Sequence, residues 1–225
     1  MLRKLLLVFL CAYTLFSVSA CGKTGPDLRL VSDLVCLLFT GENDAYEVTV
    51  SAGKREVPFL ADGKVGEIYP LFSVRITPKF AFSEGEDFSV SVTLDGQTYA
   101  GKARFSPAAS YLSADLSVST VSADCFLVSV YRNGESQSVE VRRIPSAVTE
   151  KTAISAAEEA LQSDLAPHHN KGKFAGEIHV RLTAVKNTAY WFVCFVPENG
   201  KEALSALIDG KTGAVLAVNR GGKKT

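Results

Sequence analysis

Between residues 28 and 144 apolar and polar side chains take turns, and this period of two constrains the fold more than any other feature of the chain. Successive side chains of a strand point to opposite faces, so a segment that alternates this way buries one face only as part of a sheet. Tyr46, Val48 and Val50 alternate with Glu47, Thr49 and Ser51, and Phe72, Val74 and Ile76 with Ser73, Arg75 and Thr77. Phe88, Val90, Val92 and Leu94 repeat the pattern, as do Leu112, Ala114, Leu116 and Val118. The apolar run over 34–39 reads as a strand buried on both faces, with a short helix as the alternative that periodicity leaves open.

Turn chemistry separates these segments. Asp95-Gly96 and Asn133-Gly134 are two-residue hairpin signals, because a type I′ turn holds both central residues at positive φ. The first leads into Tyr99, Ala103 and Phe105, and the second joins the segment over 126–131 to that over 139–142. Seven or more short strands punctuated this often, with no convincing helix among them, predict an antiparallel β-sandwich of the immunoglobulin-like type over 28–145.

The period changes after Pro145-Ser146-Ala147. Ser155-Ala156-Ala157-Glu158 has the spacing of a capping box and predicts a helix start, followed by an apolar stripe of Ala157, Ala160, Leu161 and Leu165 that Ala166-Pro167 should end. After a polar loop over 168–173, Ile178, Val180, Leu182 and Ala184 alternate with His179, Arg181 and Thr183. Turns at Lys186-Asn187-Thr188, at 197–200 and at 209–213 then space apolar runs over 190–196, 203–208 and 214–218. One helix must lay its stripe on one face of such a meander, which predicts a small α+β unit over 149–219 and a short tail over 220–225. The expected fold class is mainly β with an α+β part.

At the other end, Arg3 and Lys4 precede an apolar stretch over 5–16 and then small residues, the layout of a secretory signal peptide. The apolar stretch is short for a hydrocarbon layer roughly 30 Å thick. Val18-Ser19-Ala20-Cys21 resembles the lipobox of bacterial lipoproteins. That resemblance implies that residues 1–20 are removed and that Cys21 becomes an acylated N-terminus on the extracytoplasmic side of a bacterial cell membrane. An uncleaved anchor, or an ordinary signal with a coincidental cysteine, is the alternative. Residues 21–27 read as a tether, and the six residues after Cys21 span at most about 20 Å. The first folded strands should therefore lie near the membrane.

Charge narrows the partners. Lys plus Arg and Asp plus Glu number 24 each, and loss of the signal removes only two basic residues, so the mature chain is nearly neutral. No basic field exists to attract nucleic acid. Past Cys11, which leaves with the signal, Cys36, Cys125 and Cys194 remain. Cys36 and Cys125 are either bridged or free, and Cys194, in an alternating run, reads as a small buried apolar side chain.

The helix beginning Ile154-Ser155-Ala156-Ala157, the strand containing Trp191 and the closing Asp209-Gly210-Lys211-Thr212-Gly213 resemble a PepSY domain. The family motif falls on Trp191, Asp209, Thr212 and Gly213. The resemblance implies a noncatalytic module that restrains or modulates peptidases, and it supplies no catalytic residues. Asp-x-x-Thr-Gly is also ordinary hairpin chemistry.

Sites for chemistry are few. The three histidines, His168, His169 and His179, have no nucleophile elbow near them, so no hydrolase is expected; an unrecognised enzyme would use His168 or His169. Asp164 and His168 are four apart, but Pro167 breaks the helix that would align them, and no metal site is expected. Gly200, Gly210 and Gly213 lie in meander turns, not between strand and helix, so no phosphate-binding cofactor is expected. Trp191 reads as core in preference to a binding platform. The candidate partner surface is the sheet face opposite the helix, carrying His179, Arg181 and Thr183. The expected function is a membrane-anchored, noncatalytic lipoprotein that binds or modulates another envelope protein, such as a peptidase. The alternative is a solute- or envelope-polymer-binding lipoprotein with its pocket between the two units.

Overall fold

The computed structural model describes residues 26–83, 85–107, 110–198 and 202–221. The signal segment, Val18, Ser19, Ala20 and Cys21 lie outside them.

The first eight strands are β1 Val31–Glu42, β2 Tyr46–Glu56, β3 Ile68–Pro78, β4 Phe88–Leu94, β5 Gln97–Ser106, β6 Tyr111–Asp115, β7 Cys125–Arg132 and β8 Glu135–Arg143. They pair antiparallel in the order β1-β2-β3-β6-β5-β4-β7-β8, and β8 returns to β1 through Phe39↔Arg143 and Thr40↔Arg142. The sheet therefore closes. It is an eight-stranded antiparallel barrel, where the alternation predicted an open sandwich. Both architectures need the same period of two, and only the pairing of first strand with last distinguishes them. Phe39, Val48, Val74, Ile76, Val90 and Val128 fill the interior, with the Phe39 and Phe126 rings in edge contact at 4.9 Å.

Closure depends on one small residue. A Cβ on Gly41 would stand 2.0 Å from the Glu140 carbonyl oxygen of β8, so at this seam the two backbones approach more closely than any side chain allows.

The remaining elements are helices α1 Glu150–Ala160 and α2 Gln162–Leu165, then strands β9 His169–Asn170, β10 Lys173–Phe174, β11 Gly176–Val185, β12 Thr188–Pro197, β13 Leu204–Asp209 and β14 Val215–Asn219. Strands β11 to β14 form an antiparallel meander, but it is no separate helix-and-sheet domain. Strand β11 pairs parallel with β1, from Val31↔Ile178 to Val35↔Arg181, and extends the barrel sheet to twelve strands. The reason is the length of β1. Its twelve residues give one edge to β2 and share the other, the first half going to β11 and the second to β8.

Helix α1 starts before the expected capping box. Thr149 is the N-cap, accepting a hydrogen bond from the Thr152 amide at 3.3 Å, with Glu150 in the first turn. Ser155 falls inside the helix. Ala153, Ile154, Ala157 and Leu161 pack into one core with Val180, Trp191, Phe195 and Ile208. Trp191 is buried, and its indole Nε1 donates to Ser146 Oγ and to the Val148 carbonyl, both at 3.0 Å. The segment that links barrel to helix is thereby fastened to the middle of β12.

Candidate functional site

Where β1 leaves the barrel for β11, the face turned away from the helices carries charge. Asp33 and Glu177 are both fully buried, and Glu56 is 2 % exposed. Burying a carboxylate is costly unless hydrogen bonds replace its water. Each of the three has such partners. Arg55 Nε donates to Asp33 Oδ1 at 2.7 Å, and Arg181 Nε donates to Asp33 Oδ2. Ser32 Oγ donates to Glu177 Oε2, and the Gly63 amide donates to Glu177 Oε1 at 3.0 Å. Glu56 receives the Leu60 amide at 3.2 Å and the Gly66 amide at 2.7 Å.

These bonds hold down the loop over 57–67, which crosses the junction between β2 and β3. Phe59 is its cap. The ring lies 5.0 Å from the Arg55 guanidinium carbon, 5.7 Å from that of Arg181 and 5.1 Å from the His179 ring. Cation–π attraction and apolar cover thus shield the network from above. His179 is buried beneath it. Its Nε2 lies 3.2 Å from Glu177 Oε2 but off the line that a hydrogen bond requires, and it has no hydrogen-bond partner among the described residues.

The three residues read as a partner surface therefore part company. His179 and Arg181 belong to the capped network, Arg181 retaining a 41 % exposed side chain, and Thr183 alone is open. Beyond Thr183 the same face continues through Val185, Tyr190, Phe192 and Leu207. Val185 is 62 % exposed and Phe192 39 %, and among the described residues no element covers them. The outer sheet thus has a helix-covered face and a bare, partly apolar one.

The other predicted residues have structural places. Asp209 Oδ1 accepts from the Lys211 and Thr212 amides at 2.9 and 2.7 Å, and from the Thr212 hydroxyl at 3.0 Å. Those bonds hold its carboxyl below the usual range. Gly213 supplies the positive φ, +76°, that brings the chain into β14. Asp164 pairs with Arg220 at 3.0 Å and not with His168. Among the described residues no three His, Cys, Asp or Glu side chains gather as a metal site. Cys36, Cys125 and Cys194 are free thiols. Burial raises the pKa of Cys194, which lies opposite His179 on β12, and also that of Cys36.

The Asp33 and Glu177 network is buried where the barrel meets the outer strands, the zone in which the alternative reading put a solute pocket. Two surface cavities of about 360 and 390 Å³ lie elsewhere, on barrel residues such as Phe82 and Phe105 in the first and Thr93 and Leu127 in the second. Sequence reasoning did not single out Asp33, Glu56, Glu177 or Phe59. The available signal was acids placed beside apolar strand positions, Asp33 directly before the run over 34–39 and Glu177 directly before Ile178. No known protein family, curated protein or solved structure matches the chain.

Proposed function

We propose that the protein is a noncatalytic lipoprotein, fastened by acylated Cys21 to the outer side of a bacterial cell membrane, that binds another envelope protein through the bare face of β11 to β14. The run Val18-Ser19-Ala20-Cys21 after an uncharged apolar stretch carries the anchoring. Two acyl chains or more are needed for stable anchorage, and a lipoprotein N-terminus meets that condition. The uncovered Val185 and Phe192 support a protein contact, since an exposed apolar patch on a sheet is a common docking surface. The PepSY resemblance of Trp191 and the turn from Asp209 to Gly213 suggests a peptidase as that partner.

Growth with an alkynyl fatty acid tests the anchor: label incorporated by the natural protein and lost in Cys21→Ser supports it, and label absent from both refutes it. A photo-crosslinking residue at Phe192 tests the contact on intact cells. One discrete adduct, absent when the probe replaces exposed Leu127 on the barrel, is expected; equal adducts at both positions would refute a specific face.

A further inference from the structure

The strand registers bring several segments to one end of the molecule. Strand β2 runs antiparallel to β1 with Asp33↔Arg55, so the loop over 57–67 leaves β2 beside the first residues of β1. Strand β11 starts at the same end, since Val31 pairs with Ile178 in parallel, and the β9–β10 hairpin precedes it directly. The short 3-10 turn Leu28–Leu30 connects this end to the tether. Whatever holds residue 21 at a membrane therefore holds this end within about 20 Å of it.

The side chains here suit a bilayer interface. Val57 is 59 % exposed, Leu60 54 % and Phe59 40 %, three apolar residues on one loop, Val57 at its base. Lys171, at positive φ, tips the neighbouring hairpin, and Lys64 and Lys173 are exposed; none of the three forms an ion pair among the described residues. Nearby acids are partly consumed: Asp27 pairs with Arg29 at 2.6 Å, and Glu56 and Glu177 point their oxygens at loop amides. Asp62 on the loop itself, with Glu67, Glu198 and Glu202, remains as opposing charge, so long-range attraction is weak and the apolar side chains must dominate.

We infer that this end is a membrane-docking surface, in which Val57, Phe59 and Leu60 enter the interfacial region of a phospholipid bilayer while Lys64, Lys171 and Lys173 meet its anionic headgroups. The orientation rests on the lipid-anchored reading. It leaves the bare face of β11 to β14 standing off the membrane, with its hairpin at Lys186 and Asn187 on the far side.

The test supplies the anchor chemically. The mature chain beginning at Cys21, with Cys125→Ser, is coupled through Cys21 to a maleimide-headgroup lipid in vesicles of phosphatidylcholine and phosphatidylglycerol. Amide hydrogen exchange over 57–66 should then be about tenfold slower than in solution, the effect expected from burying such side chains, while exchange at 186–188 stays unchanged. Val57→Ser/Leu60→Ser, at two exposed positions, should abolish the slowing with an unaltered unfolding midpoint. Equal exchange over 57–66 in solution and on vesicles overturns the proposal. Because the coupling replaces acylation, that result is independent of whether cells acylate Cys21, which the fatty-acid label decides separately.

Discussion

Arg181 donates to Asp33 from 148 positions further along the chain, and Arg55 donates to the same carboxylate from the neighbouring strand. Asp33 is fully buried, whereas the arginine side chains keep 41 % and 30 % of their exposure. Loss of the shared anion leaves two cations facing each other. Asp33→Ala should therefore lower stability by about 3 kcal/mol, the lower end for a broken buried pair because both guanidiniums reach water. Arg181→Ala should cost less, since Arg55 remains. Urea unfolding midpoints check both, and a double variant costing less than the sum would show the coupling.

The barrel seam offers a second test. Gly41→Ala drives a methyl group into the Glu140 carbonyl and should cost about 3 kcal/mol through backbone displacement. Gly85→Ala is the control. Nothing stands within 4 Å of its added carbon, so its stability should be unchanged or slightly raised. Thermal unfolding of the two variants beside the natural protein separates steric from general effects.

A third prediction concerns acid. Arg132 beside Glu86 holds that carboxyl down to about 2, and the guanidinium also lies 4.5 Å from the Phe80 ring centre. A carboxyl with a depressed pKa stabilises the fold fully above its unfolded value, near 4.5, and loses that contribution as pH falls through about 2. The difference in urea midpoint between the natural protein and Glu86→Gln should thus be constant from neutrality to about pH 5, narrow below it and vanish near pH 2. A difference independent of pH would refute the pairing.

The thiols give a fourth. Cys125 is exposed, Cys36 is half-buried and Cys194 is buried, and burial pushes the Cys36 and Cys194 thiols up. Maleimide at neutral pH should modify Cys125 rapidly in the mature chain carrying Cys21→Ser, half-buried Cys36 more slowly, and Cys194 only after unfolding. Intact-mass measurement reads the number of adducts. Slow labelling at Cys125 with a disulfide detected to Cys36 would contradict the structure.

Most strand positions were legible because alternation is local. The segments around Val48, Val74 and Val90 are strands, and Asp95-Gly96 and Asn133-Gly134 do take positive φ at both turn residues. The barrel was not legible, since its closure rests on Phe39 meeting Arg143, a contact between residues whose local patterns suit either a sandwich or a barrel. The junction was hidden for the same reason: nothing near Val31 in sequence announces a parallel partner at Ile178. The alternation of His179, Arg181 and Thr183 placed them on one face, but covering two of them required Phe59, which arrives from a loop more than a hundred residues earlier. Helix α1 illustrates competing signals, Thr149 with Glu150 offering an earlier cap than Ser155 with Glu158.

The sharing of β1 also orders events in time. A polypeptide emerges N-terminus first, at about 5 to 20 residues per second, so the barrel can close as soon as β8 is made, while the Val31–Val35 edge waits for Ile178 and its neighbours. During that interval an unpaired strand edge stands open beside a buried carboxylate that has only one of its two arginines. Newly made chains are thus most exposed to wrong pairing in the seconds before their last third arrives, and truncation near residue 148 would make that exposure permanent.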